Sequence, residues 1–491
     1  MTRRSAMGWR SLRSSVYAEN APPLLAPTSG GAGIATPSVA ATRVDEGRPA
    51  AKTLRGEIRQ LLRGVEWTPT YIGFLLYMFV ITTFRLPLAT PAILLALGGL
   101  LFQRGRMRFP PMLVWLVAFV MWSVLGYSQT YFPEASWKSL ELLIKVAVVT
   151  FVAANALRSR AQVHFFMIFY LACFALYPMR GAMFNYYFYS ETLRGRAIWL
   201  HSYDNPNDLA ALCLLMISLA LSLLVTEHAK WTRRAVVLGM ALLPLLVLMT
   251  QSRGAIIALA AMLLLLVAKH GRELKAMIPK RRRGQVLAVG AVLAMVVLAN
   301  APDAVWSRLS RLSNVTDTQR LEQVDPEGSA KQRFEIWRVA MYLSARNPLI
   351  GVGVGAYPYE HERFSETEGM FERTSWGRRD PHSTYIRVMA ETGIPGLVLF
   401  VGIVLSAVIP SNRIRKRAKR DYPRESLQIL MLEIGLLGYF LAGVFGSFAY
   451  LPFIYIHLLL MVVLATMLRE RMKQDQRVHR APMPAAAVVA E

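Results

Sequence analysis

Cysteine is scarce: two in 491 residues, Cys173 and Cys213, both inside apolar stretches, so no disulfide framework or thiolate metal site is expected and both are assigned to packing. Acidic residues are also few, 31 against 56 Lys and Arg. No Asp-x-Asp occurs anywhere, which removes a common carboxylate arrangement for holding a divalent ion. The first residues lack a short apolar core with a small-residue cleavage site, so no signal peptide is expected. No convincing repeat relates the two halves, which weighs against the inverted-repeat transporters.

What is abundant is apolar surface. Hydrophobic residues make up 54% of the chain, and several stretches stay apolar for the roughly twenty residues that cross a bilayer's hydrocarbon. The pattern predicts an all-α polytopic membrane protein with about twelve spans, at 69–84, 87–103, 110–128, 140–157, 162–182, 207–226, 234–250, 253–270, 285–301, 382–408, 427–447 and 450–468. Domain organisation follows: a disordered tail over 1–64, nine spans over 65–301, a large loop over 302–381, three spans over 382–470, and a tail over 471–491.

A formal charge of +25 would suggest nucleic acid in a soluble chain. Here the basic residues sort by side. Short loops on the side of the termini carry twenty-two Lys or Arg, seven each in "KHGRELKAMIPKRRRG" and "SNRIRKRAKRDYPRE". The opposite short loops carry six: Arg85, Lys138, Arg180, Arg194, Arg196 and Arg253. The positive-inside rule therefore places both termini in the cytoplasm and residues 302–381 outside, and the charge is topological, with no nucleic-acid partner.

Cations on the outer side go against this bias and ask for a reason. Arg253 stands in the polar turn of "LVLMTQSRGAIIALAAM", between two apolar spans, where it either snorkels to lipid headgroups or meets an anion. Arg194 and Arg196 precede "DNPND", whose Asp and Asn residues are expected to cap the next helix. Paired guanidiniums suit a pyrophosphate.

In "GRRDPHSTYIRVMAETGIPGLVLF", Asp380 is expected as an N-cap and Pro381 at the first helical position, which leaves His382 in the first turn. There the helix dipole disfavours imidazolium, and a neutral imidazole can serve as a general base. Glu391, nine residues on, is expected to play a packed, hydrogen-bonded role. Residues 329–345 are predicted to form an amphipathic helix with Phe334, Trp337 and Met341 on one face, stopped at Asn347-Pro348. "GVGVG" at 351–355 lacks the context of a phosphate loop and is expected to be a turn.

"TQSRGA", "RFEIWRVAMYLSARNPLIGVGVGAY" and "PHSTYIRVMAETGIPGL", in that order, resemble the O-antigen ligase and polymerase superfamily of bacterial envelope proteins, over roughly residues 65–470. The resemblance implies a glycosyltransferase-C (GT-C) type fold with one large periplasmic loop, set in the bacterial inner membrane. It implies a metal-independent, cofactor-free, inverting transfer of a glycan from undecaprenyl pyrophosphate to an acceptor hydroxyl on the periplasmic side. By motif, Arg253 and Arg196 would hold the pyrophosphate, with Arg194 and Arg180 as nearby alternatives to Arg196. His382 would act on the acceptor, and Arg333, Trp337 and Arg338 belong to the lid helix. Where the family has Asn after its histidine, this chain has Ser383.

The expected activity is that of an O-antigen ligase, with lipid A-core as acceptor and membrane lipid as surroundings. A polymerase of the same repeat units and a protein O-oligosaccharyltransferase are the alternatives within the superfamily. A transporter of lipid-linked sugar is the alternative of another class; it would need charges along a path through the bundle, and Lys145 is the main one present. The missing acidic pair generates a direct test. Purified protein should transfer glycan in excess EDTA, and activity that vanished on chelation and returned with magnesium or manganese would contradict the expectation.

Overall fold

The computed structural model describes residues 53–84, 86–103, 105–199, 203–277, 295, 329–367 and 376–480. The expected ninth span, apart from residue 295, lies outside them, as do Arg85, the first part of the large loop and the ends of both tails. The described chain is helical almost throughout: α1 (Leu54–Arg63), α2 (Pro69–Thr82), α3 (Ala89–Leu101), α4 (Pro111–Tyr127), α5 (Pro133–Ala156), α6 (Arg160–Tyr189), α7 (Pro206–Thr226), α8 (Lys230–Met249), α9 (Arg253–Met277), α10 (Ser329–Arg346), α11 (Tyr357–Thr367), α12 (Thr384–Ala418), α13 (Pro423–Ala442) and α14 (Pro452–Arg480). Strand among the described residues is confined to one hairpin, β1 (Thr192–Leu193) with β2 (Arg196–Ala197).

Eight of these helices are long and apolar enough to span a bilayer, and α2, α3 and α4 are shorter apolar helices at three further expected positions. The protein is a polytopic all-α membrane protein. Several expected spans run longer than the apolar pattern indicated: α6 continues through two π-helical stretches to Tyr189, α9 to Met277 and α12 to Ala418. Polar residues at a helix end do not stop a helix when the backbone can keep its own hydrogen bonds.

One expectation fails for a local reason, and a second, the helix over 329–345, is met with its apolar residues on two faces. The tail predicted over 1–64 ends in a helix, because Thr53 caps α1 and the buried Glu57 is bonded to the start of α8. Phe334 and Met341 of α10 are 62% and 51% exposed, so their face is not the packed one. Ile336, Val339, Ala340 and Leu343 form the buried stripe instead, against Val352, Ala356, Tyr357 and Ala390. Lys145 is paired with Glu141 one turn earlier, at a partly exposed position, and is not a lone charge on a path through the bundle. Cys173 and Cys213 are buried and free.

The lid is grafted into a break in α12. At Gly393 the backbone takes φ 69° and ψ −176°, a conformation essentially reserved for glycine, and Pro395 follows. The groups freed by the break are taken up by the lid turn and by α4. Val352 N–H donates to Ala390 O (2.9 Å), Gly353 N–H to Glu391 O (3.0 Å) and Trp122 Nε1 to Thr392 O (2.9 Å), while Ile394 N–H donates to Pro348 O (2.8 Å). "GVGVG" is thus a turn, as expected, but it is also the joint between lid and membrane helix.

A methyl group on residue 393 would meet Leu349 O at 2.1 Å. Gly393→Ala should therefore separate the lid from α12, at a cost of about 1–3 kcal/mol for the backbone conformation alone. Limited proteolysis in detergent should show faster cleavage within 329–367, and an unchanged cleavage pattern would mean that the joint tolerates side chains.

Candidate active site

Residues 376–383 enter α12 through a turn that Asp380 builds. Its Oδ1 accepts from the His382 backbone N–H (2.7 Å) and from Ser447 Oγ, and its Oδ2 accepts from Arg387 Nη1 (3.0 Å). This corrects the sequence expectation for His382. The helix starts at Thr384 with Ser383 in the N-cap position, and His382 stands before it with φ 47°. Asp380 bonds the amide two residues on as an Asx turn does, so the side chain that was expected to cap the helix bends the chain ahead of it. Left-handed backbone at a histidine is uncommon and costs free energy that the surrounding bonds must offset.

The turn is stitched to the loop between α13 and α14. Thr384 N–H donates to Gly443 O (2.8 Å), Thr384 Oγ1 donates to Gly446 O (2.7 Å), and the same hydroxyl accepts from Phe448 N–H (2.9 Å). Below it, Arg387 Nε donates to Glu391 Oε1 (3.1 Å), Tyr450 Oη donates to Glu391 Oε2, and the guanidinium lies 5.2 Å from the centre of the Tyr450 ring. Glu391 is completely buried. Its expected packed role is the one observed.

A cleft of about 150 Å³ opens over this arrangement, lined by His382, Asp380, Arg387, the 446–448 loop and the start of α7. Asn205 caps α7, accepting from Asn207 N–H at 2.9 Å, in line with expectation for that stretch. Asn207 and Asp208 are turned to the cleft wall. Arg196 reaches the same wall from β2, where Nη2 donates to Asn207 Oδ1 (2.8 Å) and Nε to Thr250 O (2.7 Å). Gln251 Nε2 bonds Gly195 O (2.8 Å), so the hairpin and the turn before Arg253 are held together. Arg253 opens α9, and the next residue, Gly254, packs so closely on Phe445 that a methyl group there would come within 2.9 Å. The Arg253 turn therefore abuts the loop that lines the cleft.

From the lid, Trp337 Nε1 donates to Pro381 O (2.6 Å), fixing the His382 turn from above. Arg333 is close enough to act electrostatically on His382, whereas Arg338 is paired with Glu335, both oxygens at 3.1 Å, and points to solvent. Arg180 lies exposed over the Phe184 ring at 4.9 Å, and Arg194 is exposed in the hairpin turn with φ 53°. Neither lines the cleft.

Burial holds the His382 imidazole below its ordinary pKa; Asp380 opposes this, and Arg333, Arg196 and Arg387 add to the lowering. Asp380 is kept below the usual carboxylate range, against the cost of its burial, chiefly by Arg387 and then by His382, Ser447 and the His382 amide. The balance favours the neutral imidazole, on which three guanidiniums act electrostatically. Its Nδ1 is 3.7 Å from Asp380 Oδ1, which leaves Nε2 as the ring nitrogen turned away from that carboxylate.

Arg387, Ser447 and Tyr450 were not singled out in the sequence, and Asp208 was expected only as part of the cap of α7, not at the cleft. One signal for Arg387 was present: a cation in the first turns of an apolar helix, with Asp380 seven residues before it and Glu391 four after, is spaced for ion pairs on one helix face. Nothing local marks Ser447 or Tyr450, which arrive from another helix pair.

Residues 236–401 match the family model described as O-Antigen ligase. Over this segment the chain is similar to the O-antigen ligase family. It contains Arg253, the lid helix and His382, the three motif regions on which the resemblance rests, whereas Arg196 lies outside the matched residues. The chain is also 23% identical over 332 residues to the Exopolysaccharide production protein ExoQ of Rhizobium meliloti (strain 1021), an alignment that takes in 66% of this chain and 70% of that protein.

The electrostatics can be read directly by NMR of labelled histidine. His382 should titrate below the ordinary imidazole value, Arg333→Ala should move it up, and Asp380→Asn should move it further down. An upward shift in Asp380→Asn would reverse the assigned signs.

Proposed function

We propose that the chain is an O-antigen ligase that transfers a glycan from undecaprenyl pyrophosphate to a sugar hydroxyl of lipid A-core, inverting and without a metal. The acceptor oxygen attacks the anomeric carbon, and its proton goes to His382 Nε2. The bond from that carbon to the diphosphate breaks, and the diphosphate leaves with the electron pair. Charge grows on the leaving group, where Arg196 and Arg253 act, and preorganised donors contribute most at such a point. The inner membrane is the location, with both termini cytoplasmic and the cleft periplasmic.

The observation that carries this reading is the neutral His382 within reach of the charges of Arg196, Arg333 and Arg387, at an open polar cleft. A general base and an anion-binding wall face one space. Asp380 donates no cation site in this scheme, because its oxygens already accept from Arg387, Ser447 and the His382 amide. Arg180 and Arg194 are exposed and make no bond to a residue lining the cleft in the way Arg196 does, so they take no part in this scheme, and Arg338 belongs to the lid helix.

The similarity to an exopolysaccharide production protein favours a second reading, in which the acceptor is another lipid-linked chain and the product a longer polysaccharide. The lipopolysaccharide gel of a deletion strain separates the two. Loss of the whole ladder, with polymer retained on the carrier, is expected for the ligase, and core capped by single repeats for the polymerase.

His382→Ala should lower transfer by roughly 10²- to 10⁴-fold while donor binding survives. Arg253→Lys keeps charge but loses the bidentate fork, so transfer should drop, and Arg253→Ala should drop further, by about one to two orders of magnitude. Arg196→Ala should behave alike, and the double variant should lose less than the sum if both hold one diphosphate. Wild-type rates in both Arg253 variants would leave only an arginine at the lipid headgroups.

A further inference from the structure

The amphipathic helix α1 plays no part in the cleft, yet its placement is tightly specified. Glu57, 5% exposed, accepts from the backbone N–H of Trp231 (3.1 and 3.0 Å to its two oxygens) and of Thr232 (3.2 Å), so one helix caps the start of another. The segment after α1 is bonded to the start of α6, where Gln162 Nε2 donates to Glu66 O (2.8 Å), and Tyr71 Oη of α2 donates to Gln162 O (2.8 Å). The starts of three apolar helices, α2, α6 and α8, thus meet around α1, which places it at that end of the bundle.

At a helical spacing of 100° per residue, α1 presents three edges. Glu57 faces the protein. Leu54, Ile58 and Leu62 form the next edge and are 52%, 47% and 39% exposed. Arg55, Arg59 and Arg63 form the edge beyond, all exposed. The carboxylate that would neutralise this helix is spent on the α8 amides. Beside it, Lys230, Arg233 and Arg234 are exposed on the first turns of α8, with Arg234 over the Trp231 ring at 4.9 Å.

We propose that α1 is an interfacial anchor that recognises the anionic phospholipid headgroups of the leaflet at this end. Its leucines and isoleucine enter the headgroup–acyl boundary and its arginines, with those of α8, bind headgroup phosphates. An apolar edge flanked by guanidiniums is the pattern of a helix lying in that plane. Because Glu57 holds the helix already folded and oriented, lipid binding orders nothing new, and the arginines report on lipid charge.

The test uses the full chain with Cys173 and Cys213 replaced by alanine and a single cysteine at Ile58 carrying bimane. The protein is placed in nanodiscs of phosphatidylcholine, with or without phosphatidylglycerol, doped with a lipid brominated on its acyl chain. Bimane should be quenched more strongly with phosphatidylglycerol present, and added salt should erase the difference. Replacing Arg55, Arg59 and Arg63 by glutamine should lower the quenched-to-unquenched ratio roughly fivefold per arginine in the anionic discs. Unquenched, water-like emission in every disc would overturn the proposal, and so would equal quenching with and without phosphatidylglycerol. The lipid comparison uses one protein throughout, so a folding defect in the glutamine variant cannot mimic either result.

Discussion

Asp380 is the residue on which the site depends. One carboxylate closes the turn before α12, holds Ser447 from the neighbouring loop, and pairs with Arg387, whose other nitrogen is committed to the buried Glu391. A half-satisfied buried ion network is costly: removing one partner of a buried pair typically costs about 3–5 kcal/mol, more than most single contacts contribute. The network is therefore all or nothing, and a left-handed histidine can be maintained at its edge. The same charges that fix the geometry set the proton affinity of the ring, so position and protonation of His382 are not independent properties.

The bundle was legible in the sequence because its rule is simple. In hydrocarbon every backbone group must be satisfied within its own helix, so long apolar stretches leave little choice of structure. Span ends were less legible. Lys416 and Arg417, both exposed, continue α12 past the apolar stretch, since a charged side chain costs little once it reaches the interface.

The site was legible in part. Arg196 and Arg333 act electrostatically on His382, and the break in a charge-asymmetry rule marked Arg196 only together with five other basic residues, the family motif choosing it among them. The turn at Asp380 was misread because Asp-Pro before a helix fits two local structures, an N-cap or an Asx turn. The choice between them is made by Ser447 and Arg387, one 67 residues away along the chain. Ser447, Gly446 and Phe448 sit between α13 and α14, and no local pattern announces that a loop will face a particular turn. Arg194 and Arg180 were drawn in by proximity in sequence to Arg196, and the hairpin turn directs Arg194 outward.

The joint between lid and α12 also bears on biogenesis. Residues 347–353 leave the ribosome before residue 390, and the carbonyls of 390 and 391 find their donors only in that earlier segment. A helix that broke at Gly393 without those donors would leave polar groups unmet in the bilayer, at several kcal/mol each. The break in α12 is thus satisfied only once the 347–353 turn has packed against it. Docking of that turn and final shaping of the tenth expected span are therefore a single coupled step, with the glycine waiting for the chain made before it.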